Sequence, residues 1–167
     1  MTDFKDISIR PVNGGDAEFL YLIMNDPSVL SALHEIPTRL QDWADAIDEW
    51  IRDGDEEDYI VEAGSVPAGW LGINGLSGTD KTAYLKTAAF LPEYQGRGIG
   101  TYSIRELLYL LKNRGVERVI LFTDRANLKA QACYKKCGFR IVETLSETMS
   151  DGKSVERYRM ESLLKQL

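Results

Sequence analysis

Phe90-Leu91-Pro92-Glu93-Tyr94-Gln95-Gly96-Arg97-Gly98-Ile99-Gly100-Thr101 is the stretch on which the fold turns. Before it, Thr82 to Phe90 reads as a strand that stops at Pro92, because proline cannot donate to a ladder. Behind it, Ile104, Leu107, Leu108 and Leu111 keep the i, i+3, i+4, i+7 spacing of a helix, with Lys112 and Arg114 in the last turn and Gly115 as the stop. Glycines between a strand and a helix let the backbone curl and turn successive N–H groups into one concavity. The helix adds its unpaired first-turn amides and the positive end of its dipole. Together they form an anion site suited to a pyrophosphate, with Arg97 adding charge and Thr101 a hydroxyl. A tight turn that binds nothing has the same glycines, so the turn alone leaves both readings open.

Two nucleotide motifs are excluded. A dinucleotide fingerprint counted from Gly96 needs glycine or alanine where Thr101 stands, and counted from Gly98 it fails at Ser103. The one Gly-Lys-Ser tripeptide, Gly152-Lys153-Ser154, has Glu147 where a Walker loop needs its first glycine, so there is no Walker loop and the glycine turn has no phosphate lysine. The anion expected here belongs to a carrier cofactor.

Working outward, Ile7 to Val12 alternates as a short strand ended by Asn13-Gly14-Gly15. A helix with Asp16 as N-cap carries Phe19, Leu20, Leu22 and Ile23 into Asn25-Asp26-Pro27. Thr38 and Gln41 form a capping-box pattern for a second helix, with Leu40, Trp43, Ala44, Ile47 and Ile51 on one face. The acid run Asp53 to Asp58 reads as a solvated loop. Tyr59–Ala63 and Ala68–Ile73 pair around Gly64-Ser65, and the strand from Thr82 completes an antiparallel meander. Val119–Phe122 suits a strand buried on both faces. Asn127 caps a helix whose stripe is Ala130, Cys133, Tyr134 and Cys137, stopped by Gly138. The tail runs through Phe139–Val142, turns near Asp151-Gly152 and ends in a strand around Val155 to Met160.

A chain of 167 residues is expected to form one domain, 1–167, burying about 68–70% of its unfolded surface. Its net charge of -6 argues against a phosphate-backbone partner and suits cationic substrates such as amines. Cys133 and Cys137 cannot staple a secreted scaffold, which favours a reducing cytosol. Met1 to Asp6 has no signal-peptide pattern, and no apolar run has membrane-spanning length. The expectation is a cytoplasmic protein with neither nucleic acid nor membrane as partner.

Gln95-Gly96-Arg97-Gly98-Ile99-Gly100 matches Gln/Arg-x-x-Gly-x-Gly/Ala, and Asn127-x-x-Ala130-x-x-x-Tyr134-x-x-x-Gly138-Phe139 follows it downstream. Both blocks, in this order of elements, resemble the GNAT N-acetyltransferase family over nearly the whole chain. Asn25-Asp26-Pro27-Ser28-Val29 is similar to the branch with ribosomal-protein and polyamine acetyltransferases. The resemblance implies an α/β fold, a mixed and mostly antiparallel central sheet, splayed at the cofactor, with helices on both faces. It implies acetyl-CoA as co-substrate, its pyrophosphate on the amides of Gln95, Gly96, Arg97, Gly98, Ile99, Gly100 and Thr101. It also implies a pantetheine arm along Ala88, Ala89 and Phe90, with Asn127 nearby and Tyr134 protonating the departing thiolate. A strand-like arm on a splayed edge and a phenol as acid are chemically sound.

The residues also admit plainer roles. Tyr134 on an apolar stripe is commonly a core residue with a satisfied hydroxyl. Asn127 is a good N-cap, and both of its roles can coexist. Cys133 and Cys137, one turn apart, read as buried small hydrophobes; they make neither a redox pair nor a metal set, and no metal is expected. Trp43, Trp50 and Trp70 read as core. Several family members carry a glutamate base six positions before the residue matching Phe90, where this chain has Tyr84. His34, Glu35, a water relay or the neutral fraction of the amine remain as alternatives. With no nucleophile–base motif in evidence, the implied reaction is direct attack of a primary amine, of a small molecule or a protein N-terminus, in a ternary complex. A non-catalytic CoA-binding or sensing domain is the alternative, and the hairpin near Asp151 offers an edge for a homodimer.

Overall fold

The structure, a computed structural model, describes residues 3–167. One seven-stranded sheet carries the order β1-β2-β3-β4-β5-β7-β6. Its strands are β1 (Ile7–Pro11), β2 (Glu57–Ala63), β3 (Val66–Asn74), β4 (Thr82–Phe90), β5 (Arg118–Asp124), β6 (Arg140–Thr148) and β7 (Ser154–Leu163). The helices are α1 (Ala17–Ile23), α2 (Pro27–Leu33), α3 (Leu40–Arg52), α4 (Ile99–Asn113) and α5 (Leu128–Lys136). Every neighbouring pair is antiparallel except β4 and β5, which α4 joins as a crossover.

The sheet is buried on both faces, and adjacent residues divide between them. Leu71 and Val61 join Ile104, Leu107, Leu108 and Leu111 of α4 on one face. Their neighbours Trp70 and Ile60 join Leu20 and Ile23 of α1 and Ile47 of α3 on the other. That is the period-2 geometry of a strand between two helical layers. Trp43, Trp50 and Trp70 stack into the second layer with ring centroids 5.5–6.4 Å apart, as core residues.

Several local expectations are corrected. Asn25-Asp26-Pro27 ends one helix and also opens another: Asp26 Oδ1 accepts from the amides of Ser28 (2.9 Å) and Val29 (3.2 Å), with Pro27 at the first helical position of α2. Asp16 does not cap α1 with its side chain. Its carboxylate takes both Arg10 guanidinium nitrogens, at 2.8 and 2.7 Å, and the Asn13 amide at 2.8 Å. The Thr38–Gln41 box is absent because Thr38 Oγ1 accepts from Trp43 Nε1 (2.8 Å) and Gln41 bonds Asp45 (2.9 Å). Arg39 and Asp42 open α3 instead, the Asp42 carboxylate accepting from the Arg39 amide at 2.8 Å.

The acid run is not a solvated loop. Asp55 Oδ1 accepts from the Ser77 amide at 3.0 Å, Glu56 pairs with Lys86, and Glu57 pairs with Arg114 at 2.6 Å. Asp58 is 6% exposed and accepts from Trp70 Nε1 at 2.8 Å. Gly72 lies opposite Asp58 in the ladder, and a Cβ there would stand 2.7 Å from Asp58 Oδ1, so only glycine admits this carboxylate. The β5 run is buried from Val119 to Leu121, but Phe122 emerges at 39% exposure where β5 parts from β4. The strand after Gly138 continues to Thr148, well past Val142.

Candidate active site

The parting of β4 and β5 organises the site. Their parallel pairing ends at Tyr84 with Ile120, so Leu85 to Phe90 present an edge that β5 does not fill. A bulge at Lys86, where Gly72 faces Thr87 but Ile73 faces Leu85, re-aims the strand just past that point. On its other edge β4 stays paired, Ala88, Ala89 and Phe90 facing Leu71, Trp70 and Gly69. Ala89 is buried at 3% exposure, while Ala88 and Phe90 pack half-buried against the α4 layer.

The glycine turn sits at the end of that edge. Gln95 Nε2 donates to the Phe90 carbonyl at 2.8 Å and braces the turn on the strand. Gly96 and Gly98 hold φ of +71° and +81°, a region that costs other residues roughly 1–2 kcal/mol. A Cβ on Gly96 would meet nothing within 4 Å, whereas one on Gly98 would come within 3.0 Å of the Phe4 ring. The first helical bond of α4 runs from the Tyr102 amide to the Gly98 carbonyl, 3.0 Å, so the amides of Ile99, Gly100 and Thr101 precede the ladder. Ile99 has only its amide to offer a ligand, since its side chain is 1% exposed. Gly100 fits against the Phe90 ring and Cys133 Sγ, which its Cβ would approach to 3.4 and 3.8 Å.

Two expectations change at this turn. The Thr101 hydroxyl points inward and donates to Cys133 Sγ at 3.3 Å, leaving its amide, not its hydroxyl, for an anion. Cys133 is thus half-buried and hydrogen-bonded, while Cys137 is buried and its thiol faces the Thr101 carbonyl at 3.5 Å. Arg97 stays at the rim, Nη1 on the Glu93 carbonyl (3.4 Å) and its guanidinium 5.7 Å from the Tyr94 ring centroid.

Tyr134 and Asn127 come from α5, which Cys133 ties to the start of α4. Asn127 Oδ1 accepts from the Ala130 amide at 3.1 Å, the capping role expected. Tyr134 stands edge-on to Phe139 with centroids 6.0 Å apart and packs against the layer that holds Ala88 and Phe90. Among the described residues its hydroxyl has no hydrogen-bond partner, unlike the satisfied phenol of an ordinary core tyrosine. Burial raises its pKa well above that of a free phenol, Cys133 and Cys137 adding to the effect and Arg157 opposing it. The group therefore keeps its proton until a stronger base arrives.

Tyr84, six positions before Phe90, is 38% exposed beside Ile120. The His34 ring is engaged by two carboxylates: Nε2 is 2.5 Å from Asp124 Oδ2, and Nδ1 is 3.4 Å from Asp151 Oδ2. Sequence reasoning gave Asp124 and Arg157 no place and Asp151 only a turn, and no local signal marks a contact across 90 residues.

The open β4 edge, the amides ahead of the α4 ladder and the clear space beside Gly96 fit an extended, anion-bearing ligand such as acetyl-CoA. They would offer, in turn, strand-like bonding for an amide-bearing arm and N–H groups for a pyrophosphate. No group of His, Cys, Asp or Glu among the described residues is arranged to hold a metal, and no helix is long and apolar enough to cross a membrane.

A strand–glycine turn–helix beside a parted parallel pair defines an acyl-CoA N-acyltransferase architecture. The family model for the acetyltransferase (GNAT) family matches residues 19–139, and the chain belongs to that family. The N-alpha-acetyltransferase 30 of Schizosaccharomyces pombe is 32% identical over 81 residues, covering 48% of this chain and 54% of that protein. A mycothiol acetyltransferase of Saccharomonospora viridis is 43% identical over 53 residues, 32% of this chain and 17% of that one. The chain thus spans about half the length, or less, of the curated relatives it matches. Among solved structures, the spermidine N-acetyltransferase of Vibrio cholerae in complex with CoA and spermine superposes with a TM-score of 0.87 at 22% identity, covering 96% of this chain and 97% of that one. The ribosomal-protein-alanine N-acetyltransferase of Brucella melitensis gives 0.79 at 21%, covering 93% and 99%. The mixed, mostly antiparallel fold with helices on both faces is therefore shown, as the two motif blocks imply.

Proposed function

We propose that this chain transfers the acetyl group of acetyl-CoA to a primary amine by direct attack in a ternary complex. The observation that carries the reading is the unpartnered Tyr134 hydroxyl in the layer that also holds Ala88 and Phe90 of the open β4 edge. Acetyl-CoA supplies an activated thioester. The amine nitrogen attacks its carbonyl carbon, the C–S bond breaks, the Tyr134 proton passes to the sulfur, and water takes the ammonium proton and restores the phenol. Neither cysteine serves as an acyl carrier: Cys137 is buried, and the Cys133 sulfur is engaged by Thr101. Backbone amides of Ala88 to Phe90 would polarise the carbonyl, and those of Gln95 to Thr101 would hold the pyrophosphate. The relatives' names span spermidine and protein N-termini, so the acceptor proposed is a primary amine of either kind. The setting proposed is cytoplasmic. A homodimer would use the free edge of β6, since the Asp151 turn is already bonded to His34.

The test is release of free CoA thiol from acetyl-CoA with a panel of polyamines, amino sugars and peptides with free N-termini. Thiol release with matching acetylated product is expected for at least one class. Acetyl-CoA binding by calorimetry without turnover on any amine would leave a non-catalytic CoA-binding domain. No binding at all would defeat both readings.

A further inference from the structure

The only histidine of the chain sits where three elements meet, and the reaction proposed above gives its ring no step. His34 ends α2 with φ of +55°, its N–H turned back to the Leu30 and Ser31 carbonyls. Its ring lies between Asp124 and Asp151, at 2.5 and 3.4 Å, and the three side chains are only 14–20% exposed. Carboxylates only accept, so the Asp124 contact is made by an N–H at Nε2, with Nδ1 turned toward Asp151 at the longer distance. The backbone repeats the tie, the Asp151 amide donating to the His34 carbonyl at 3.1 Å.

What this joins is the rim of the β4–β5 parting. Asp124 closes β5, and its carbonyl accepts from the Asn127 amide and from Gln131 Nε2, both 3.0 Å, fixing the corner from which α5 carries Tyr134. Arg157 of β7 brings Nε to 3.4 Å from the same carboxylate, and its Nη2 donates to the Phe122 carbonyl at 3.0 Å. Its Nη1 pairs with Glu147 at 2.9 Å. Strand alternation sets these groups on one face. Val119, Leu121 and Met160 point into the α4 layer, so Phe122, Asp124, Arg157 and the His34 contact lie on the other. The α4 side holds the proposed cofactor seat, which leaves this face for the amine.

We infer that His34 is a positioning residue for the acceptor: it pins the β6–β7 turn and the end of β5 to α2, and so holds the acceptor-side wall of the parting in shape. The kinetic consequence rests on the acetyl-transfer reading; the structural one does not. His34→Asn is the informative variant, because asparagine tolerates the left-handed backbone and its single short amide cannot span two carboxylates. With the best acceptor from the amine panel, KM for the amine should rise about tenfold, as a lost charge-assisted contact allows, while KM for acetyl-CoA stays within about twofold. Hydrogen exchange of residues 149–153 in the free protein should quicken, with the α4 core unchanged. Asp151→Asn, which leaves the end of α2 intact, should shift both readouts in the same direction and by less.

An unchanged amine KM overturns the proposal. So does a parallel rise in both KM values with faster exchange throughout the sheet, the pattern of general destabilisation. If His34→Asn fails to fold, Asp151→Asn decides by the same two readouts. A wild-type protein that acetylates no amine defeats the acetyl-transfer reading; exchange at 149–153 then decides the tie, and unchanged exchange in both variants refutes it.

Discussion

Asp58→Asn should make the protein more stable in mild alkali, although it alters a buried residue. Asp58 Oδ2 is a buried acceptor without a hydrogen-bond donor, beside Glu56, whose Oε1 pairs with Lys86. Burial, the largest influence, pushes the Asp58 carboxyl up to about 7, and Glu56 adds to it, against the pull of Lys86 and the Trp70 N–H. A proton on Asp58 lets it donate to Glu56 in place of two carboxylates facing each other. Because the folded value lies above the unfolded one of 3.8, proton binding stabilises the fold fully below about pH 4. That stabilisation is lost as pH rises through about 7. Roughly three pH units at about 1.4 kcal/mol each set an upper bound near 4 kcal/mol, and relaxation around the pair with Lys86 close by brings the expectation to about 2–4. Asparagine keeps an oxygen for Trp70, offers Nδ2 to Glu56 and carries no charge at any pH. Urea midpoints of both proteins from pH 4 to 9 give the test. The difference between them should be small near pH 4 and grow to about 2–4 kcal/mol in favour of Asn at pH 8, or about 5–10 °C in Tm. Taking the difference cancels groups such as Asp16 and Glu57, whose lowered values shape the acid limb of both proteins. A variant less stable than wild type at pH 8, or a difference independent of pH, would refute the shared proton.

Tyr134→Phe should lower kcat about 10²-fold with acetyl-CoA affinity little changed. Stability should hardly move, because the hydroxyl has no protein partner to lose; wild-type kcat in a chemistry-limited single turnover would remove the acid role. Gly98→Ala should leave a folded protein, about 1–2 kcal/mol less stable, with KM for acetyl-CoA up about tenfold or more. Gly115→Ala, equally left-handed at φ +91° with nothing within 4 Å of its Cβ, carries the strain without the site and should keep the wild-type KM.

What the sequence disclosed follows from the range of the forces involved. The β4–α4 unit is legible because its periodicities are local and the glycines mark the junction. The end of α1 and start of α2 are not, because Asp26-Pro27 serves equally as a stop and as a cap with proline at the first turn. The acid run misleads because burial of a carboxylate depends on partners from elsewhere: Trp70 reaches Asp58 from the next strand, and Lys86 reaches Glu56 from β4. Tyr134 is legible as a site only through its motif, since its stripe is that of any core helix.

Two sets of polar groups contrast, and the difference locates the chemistry. Asp58 Oδ2 is a buried acceptor beside Glu56, which Lys86 already pairs, so one proton on Asp58 satisfies the pair and no ligand is needed. The groups at the parted strands are donors and a half-open edge: the first amides of α4, the strand edge past Tyr84 and the Tyr134 hydroxyl. A single proton satisfies none of these, whereas an extended, acceptor-rich molecule can meet them together. An edge so exposed is a liability in a finished fold, where strands are ordinarily paired, covered or charged. In this chain it persists beside a helix N-terminus and an idle phenol. That conjunction, more than any one residue, argues that the fold is completed by what it binds.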